Sequence, residues 1–149
     1  MVHSRKYKKK RGDANSACGD PCIYCKRKML PTSYLDDIDP VKRLQTISVE
    51  HIIPRSKGGT NEDHNLTYAC ARCNSMRGSL DFELFMMFAR HVLQKYPNEN
   101  SILLRSALIQ FVTSLAELAI RNRKASNRAI SLSLLHLKDE QNKAKGIYR

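Results

Sequence analysis

Hydrophobic and polar positions alternate along part of the first half of the chain and follow a helical spacing in the second half. Residues 44–51 alternate and are rich in β-branched side chains, which predicts a strand that ends before Pro54. A turn-rich loop over residues 55–63 comes next, followed by a second short strand over residues 66–69. Residues 70–78 then predict a turn that opens into a helix. This half of the chain therefore predicts a small unit of two strands and one helix.

Long stretches with helical apolar spacing begin at residue 79 and predict about three helices. The first runs from a cap at Ser79 to about residue 95, and the second begins at Ser101 after a break at residues 97–100. A third is expected over residues 126–143. The buried stripe expected in the second helix consists of Leu104, Leu108, Phe111, Leu115 and Leu118. These helices can pack together and onto the first half, or form a face for a homodimer or a partner protein, and the sequence leaves both open.

The 149 residues carry 26 Lys and Arg against 14 Asp and Glu, which gives a net charge of +12 and a pI near 9.7. The basic residues are clustered, and residues 1–17 are so basic and polar that they predict a disordered arm with almost nothing to bury. We therefore expect a polyanion as the partner, most simply nucleic acid. The residues predicted to contact it are Arg5, Lys6, Lys8, Lys9, Lys10, Arg11, Arg55 and Lys57.

An anionic membrane surface is the competing polyanion. The ends of the chain carry neither a basic amphipathic helix nor a lipidation signal, and no apolar run is expected to span a bilayer. The charged N-terminus lacks the apolar segment of a secretory signal. We therefore expect an intracellular protein, cytoplasmic or nucleoid-associated, with no membrane partner.

Four of the five cysteines form two pairs with a two-residue gap. Such a gap lets both thiolates bind one metal ion, and two pairs complete a tetrahedral zinc site. An odd number of cysteines and a reducing compartment both disfavour a disulfide framework. The predicted zinc ligands are Cys22, Cys25, Cys70 and Cys73, and Cys18 is left over as a free thiol.

The segment that begins between the cysteine pairs and ends at Asn74 carries residue types that suit phosphodiester hydrolysis. His51 can take a proton from water near neutral pH, while a carboxylate such as Glu50 and the amides of Asn65 and Asn74 supply oxygen donors. Oxygen donors suit Mg²⁺ or Mn²⁺, which can neutralise a phosphate. In an extended strand Glu50 and His51 point to opposite faces, so a bend at their end of the strand is required for both to share one site.

The order and spacing of these residues resemble the HNH endonuclease motif. The matching elements are residues 49–54, the Gly58–Gly59 pair, Asn65 with Leu66, and the segment from Cys70 to Gly78. The resemblance covers residues 18–80 and implies a zinc-stapled ββα-metal finger of treble-clef-like form. The implied partner is double-stranded DNA, cut with the help of Mg²⁺ or Mn²⁺.

The resemblance also implies a role for each matched residue. His51 would be the general base, and Glu50 and Asn74 would hold the catalytic divalent ion. Asn65 would fix the loop that presents the histidine, and Arg77 would contact a phosphate. Three positions depart from the usual family pattern: Glu50 replaces Asp, Asn74 replaces His, and Arg77 replaces Lys.

The resulting prediction is an α+β protein with an arm over residues 1–17, a nuclease core over residues 18–80 and a helical extension over residues 81–149. Two other functions fit the charge and the cysteines: a zinc-stabilised nucleic-acid-binding module without catalysis, and a nuclease directed at RNA. The sequence contains no feature that chooses a biological role.

Overall fold

The computed structural model describes residues 12–121 and 135–136 of the chain. The chain forms two compact units, Met1–Asn98 and Glu99–Arg149. The described residues contain four α-helices and a two-stranded sheet, so the α+β class is confirmed. The basic cluster predicted over residues 5–11 and the third helix predicted over residues 126–143 lie outside the described residues, apart from two helical positions, 135 and 136.

The centre of the first unit is an antiparallel hairpin followed directly by a helix. Strand β1 is Ile47–His51 and strand β2 is Leu66–Cys70, with Ile47 opposite Cys70 and His51 opposite Leu66. Strand β2 continues into a helix at Ala71–Arg77, which is named α2 because a shorter helix precedes the hairpin. The chain order is therefore strand, strand, helix, as the sequence predicted.

Helix α1, Pro40–Gln45, occupies part of the segment for which a strand was predicted. The Asp39 carboxylate accepts a hydrogen bond from the Val41 N–H at 2.9 Å, and Pro40 fits the first helical position. These two signals start a helix that includes Leu44 and Gln45, so the predicted strand start at residue 44 was wrong.

Helix α3, Phe82–Phe88, continues through a π-helical turn at Ala89–Leu93. Its cap is Asp81, whose carboxylate accepts from two backbone N–H groups, so the predicted cap at Ser79 was wrong. Phe85 packs edge-on against Tyr24, with ring centroids 4.8 Å apart. Helix α3 therefore shares this core with the cysteine segment, and both lie in the first unit, which ends at Asn98.

Part of the predicted N-terminal arm is folded. Asp13–Ala17 forms a 3₁₀ turn in which Ala14 and Ala17 are buried. The Asn15 side-chain oxygen accepts hydrogen bonds from both the N–H and the hydroxyl of Thr32, at 2.9 and 3.1 Å. Residues 12–17 of the predicted disordered arm, which was expected to have almost nothing to bury, therefore contain a folded turn with two buried alanines.

The second unit contains helix α4, Ser101–Arg121, which begins where the sequence predicted. Its buried residues are Leu104, Leu108, Val112, Ala116 and Ala119. Leu118 of the predicted stripe is 53% exposed, because the helical repeat carries the buried face through Ala116 and Ala119 instead. By length and composition alone this helix could cross a membrane, which corrects the expectation that no such run exists; buried helices of soluble proteins meet the same criterion.

Candidate active site and metal centre

The four paired cysteines come together in the first unit. Their sulfur atoms all lie within 4.8 Å of one another, and all four residues are buried. Tetrahedral zinc with bonds of about 2.3 Å places its sulfur ligands about 3.8 Å apart. The sulfurs of Cys25 and Cys70 are 3.8 Å apart, and none of the four forms a disulfide. The cluster therefore fits a structural metal such as zinc, while Cys18 is exposed outside it.

The loop after β1 is closed by the side chain of Asn65. Its amide nitrogen donates to the carbonyls of Ile53 and Thr60 at 3.1 and 2.8 Å, and its side-chain oxygen accepts from the Ile53 N–H at 2.7 Å. Asn65 is 3% exposed, so these bonds form where water competes little. They hold the two ends of the loop together directly beyond His51.

A glycine allows the loop to close this tightly. A Cβ atom at Gly59 would lie 1.7 Å from the Ile53 carbonyl oxygen, far too close for two atoms that are not bonded, so the backbone would have to shift. The preceding Gly58 has a φ of +83°, a left-handed conformation that glycine adopts without steric cost. The Gly58–Gly59 pair therefore shapes the loop that Asn65 fastens.

His51, the last residue of β1, forms a hydrogen bond to a residue in this loop. Its ring Nε2 lies 2.9 Å from the side-chain oxygen of Asn61, and the ring is partly exposed. His64, also in the loop, is exposed. The loop thus supports the ring of His51 from one side.

The Glu50 carboxylate lies inside the domain between two donors. The Tyr24 hydroxyl donates to Glu50 Oε1 at 2.8 Å, and the Arg77 guanidinium forms an ion pair with the same oxygen. Burial raises the pKa of Glu50, and the charge of Arg77 opposes that rise. Burial also raises the pKa of Tyr24, which keeps its phenol protonated as a donor. Among the described residues, none donates a hydrogen bond to Glu50 Oε2.

Arg77 is 1% exposed, and its guanidinium connects several parts of the site. Besides the Glu50 carboxylate, it donates to the carbonyls of His51 and Ile52, both at 2.6 Å, and of Leu80 at 2.9 Å. This arrangement differs from the exposed phosphate contact that the resemblance implied, because the donors are already directed at protein oxygens. The phosphate-contacting role of Arg77 stays a prediction.

The side-chain amide of Asn74, on helix α2, forms hydrogen bonds to strand β1. The amide nitrogen donates to the Ser48 hydroxyl at 2.9 Å and to the Val49 carbonyl at 3.0 Å. Both amide hydrogens are therefore used in orienting the side chain, and the carbonyl oxygen is the atom left to act as a ligand.

One cleft brings together four of the predicted site residues, and Asn65 is not among the residues that line it. Its volume is about 270 Å³, and Glu50, His51, Asn74 and Arg77 all contribute to its walls. Neighbouring residues of a strand point to opposite faces, but Glu50 and His51 both line this cleft because β1 ends at His51 and the chain turns there. Arg55 also lines the cleft, and both Arg55 and Lys57 are exposed in a 3₁₀ turn beside it.

Sequence reasoning missed two residues of the site. Tyr24 lies between the two cysteines of the first pair, so folding of the cysteine cluster carries it to Glu50. Asn61 lies in the turn-rich loop, where an Asn is commonplace. The position of Tyr24 inside the cysteine pair was an available signal, whereas nothing local marked Asn61.

Part of the chain matches a known protein family. Residues 22–80, less than half of the chain, match the sequence model of the HNH endonuclease family. No significant match was found among curated proteins or among solved structures. The matched span contains both cysteine pairs, the hairpin and helix α2, and it confirms the resemblance seen in the sequence. Residues 22–80 of this chain are therefore similar in sequence to the HNH endonuclease family.

Proposed function

We propose that this protein is a metal-dependent endonuclease that hydrolyses phosphodiester bonds in DNA. The observation that supports this most strongly is the single cleft lined by Glu50, His51 and Asn74. An imidazole beside a carboxylate and an amide oxygen supplies a proton acceptor and a set of cation ligands in one place. The similarity of residues 22–80 to the HNH endonuclease family supports the same reaction class.

His51 is the proposed general base. Its ring takes a proton from a water molecule, whose oxygen then forms a bond to phosphorus. The bond between phosphorus and the leaving sugar oxygen breaks, and that oxygen takes a proton from solvent. Asn65 and the Gly58–Gly59 pair hold the loop that supports the ring.

Glu50 and Asn74 are the proposed ligands of a catalytic Mg²⁺ or Mn²⁺. Their side-chain oxygens are hard donors of the kind these ions prefer, and the bonds to Asn74 leave its carbonyl oxygen as the donor atom. Such an ion supplies charge neutralisation at the phosphate and at the leaving oxygen. The separate four-cysteine site is proposed to hold structural Zn²⁺.

We assign Arg77 a structural part in this site. Its guanidinium is buried against the Glu50 carboxylate and the backbone after β1, so it orients the carboxylate instead of reaching outward. One consequence is electrostatic: Arg77 balances Glu50, and Arg55 adds a positive charge to the cleft wall. A phosphate group brings the negative charge that a divalent ion needs there.

Nucleic acid is the proposed partner because the chain carries a net charge of +12. The exposed Arg55 and Lys57 lie beside the cleft, where they can contact phosphates next to the bond that is cut. The basic residues 5–11 are proposed to add salt-sensitive affinity for duplex DNA.

The direct test is cleavage of supercoiled plasmid by the zinc-loaded full chain with added Mg²⁺ or Mn²⁺. We expect nicked or linear products that require the added ion. Binding of the plasmid without cutting under any divalent ion would instead identify a nucleic-acid-binding module. Matched DNA and RNA duplexes in the same assay separate the DNA-directed enzyme from the RNA-directed alternative.

A further inference from the structure

We propose that Asn61 is a positioning residue for His51: it holds the neutral ring with its proton on Nε2, so that Nδ1 is the nitrogen that accepts the proton from water. This inference rests on the proposed function, because it concerns the chemistry of the proposed base. It assigns a role to a residue that lies outside the motif.

The direction of the hydrogen bond fixes the tautomer. The Asn61 side-chain oxygen, 2.9 Å from His51 Nε2, can only accept a hydrogen bond. The ring nitrogen must therefore donate, which places the proton of a neutral imidazole on Nε2. The other nitrogen, Nδ1, then carries the lone pair that a general base needs.

Asn61 is held in place through a hydrogen bond to the backbone of the residue before it, Thr60. The carbonyl of Thr60, the residue before Asn61, accepts a bond from the buried Asn65 side chain at 2.8 Å. The same amide also binds the Ile53 carbonyl, so the backbone on both sides of the loop is fastened. Asn61 is not among the residues that line the cleft, so among the described residues its connection to the cleft runs through the ring of His51.

Losing this bond frees both the proton position and the rotation of the ring. In the other neutral tautomer Nδ1 carries the hydrogen, and with the ring turned over the carbon Cδ2 takes the place of Nδ1. In either case no nitrogen lone pair faces the water. Removing a residue that orients a metal-bound histidine typically costs about 10- to 100-fold in activity, and we expect a loss of the same order for His51. We expect this loss in kcat with little change in KM, because Asn61 does not line the cleft.

Three variants test the proposal in the zinc-loaded full chain, with plasmid cleavage as the kinetic readout. Asn61→Ala removes the acceptor and is expected to lower kcat about 10- to 100-fold. Asn61→Asp keeps an oxygen acceptor at the same position and is expected to restore most of the rate. Asp63→Ala, a control in the same loop, removes an exposed polar side chain and is expected to keep the wild-type kcat.

A second readout does not depend on cleavage. ¹⁵N NMR of histidine-labelled protein reports which ring nitrogen carries the proton, and the His51 signal among the five histidines is assigned by its absence in His51→Ala. We expect an Nε2-protonated ring in the wild type and in Asn61→Asp, and a mixture of tautomers in Asn61→Ala.

The proposal is overturned if Asn61→Ala keeps the wild-type kcat and tautomer, or if Asn61→Asp is as slow as Asn61→Ala. If the wild type cuts no nucleic acid, the proposed function fails. The NMR comparison then still decides whether Asn61 sets the His51 tautomer, so the two failures are distinguishable.

Discussion

Replacing Arg77 by Met should destabilise the first unit strongly. The side chains of Arg77 and Glu50 are 1% and 3% exposed and form an ion pair, so the variant leaves a buried carboxylate without its countercharge. Removing one partner of a buried pair typically costs about 3–5 kcal/mol. The carbonyls of His51, Ile52 and Leu80 lose a donor as well.

The assay is thermal unfolding of the zinc-saturated full chain, followed by far-ultraviolet circular dichroism. In a domain of this size each kcal/mol lowers Tm by about 4–8 °C, so Arg77→Met should lower Tm by more than about 12 °C. The control, Arg55→Met, removes the same charge from an exposed position and should change stability by no more than about 0.5 kcal/mol.

A double variant separates the ion pair from the loss of packing. Adding Glu50→Gln to Arg77→Met removes the uncompensated charge and should recover part of the lost stability. If Arg77→Met is as stable as Arg55→Met and loses only affinity for DNA, the buried ion pair does not stabilise the first unit. That outcome would make Arg77 the exposed phosphate contact implied by the family resemblance.

Two further predictions concern metals. Removal of zinc with a strong chelator should unfold the first unit, because structural zinc sites supply about 10–16 kcal/mol in small peptides; an unchanged melting temperature after complete removal would contradict the clamp formed by the four cysteines. Arg77 already balances the charge of Glu50, so a DNA phosphate is needed to supply negative charge for a divalent ion in the cleft. Mn²⁺ should therefore bind the zinc-loaded His51→Ala variant more tightly when duplex DNA is present. Electron paramagnetic resonance of free Mn²⁺ measures this, and equal affinities with and without DNA would argue against it.

Local spacing predicted the parts of the site that are carried by short segments. The two-residue gaps identified the cysteine pairs, and the cluster formed as expected, with all four sulfurs within 4.8 Å. The strand ending near His51 and the helix after Cys70 were also evident from the sequence, because alternation and turn signals act over a few residues.

The contacts that depend on the tertiary fold were not predictable in this way. Tyr24 and Arg77 reach Glu50 across separations of 26 and 27 residues, so no local pattern shows that Arg77 is buried. The start of β1 was misjudged because the cap at Asp39 outweighed the alternation at Leu44. Likewise, the buried face of α4 includes Ala116 and Ala119. The predicted stripe was built from the large residues Leu and Phe, so it did not include these small ones.

His51 is proposed to activate water in the cleft that it shares with Glu50 and Asn74. The most direct measurement compares the single-turnover rates of plasmid cleavage by His51→Ala and by His64→Ala, which changes an exposed histidine of the same loop. We expect His64→Ala to cut at the wild-type rate and His51→Ala to be slower by about 10²- to 10⁴-fold at equal DNA binding. Equal cleavage rates for the two variants would show that His51 is not the general base.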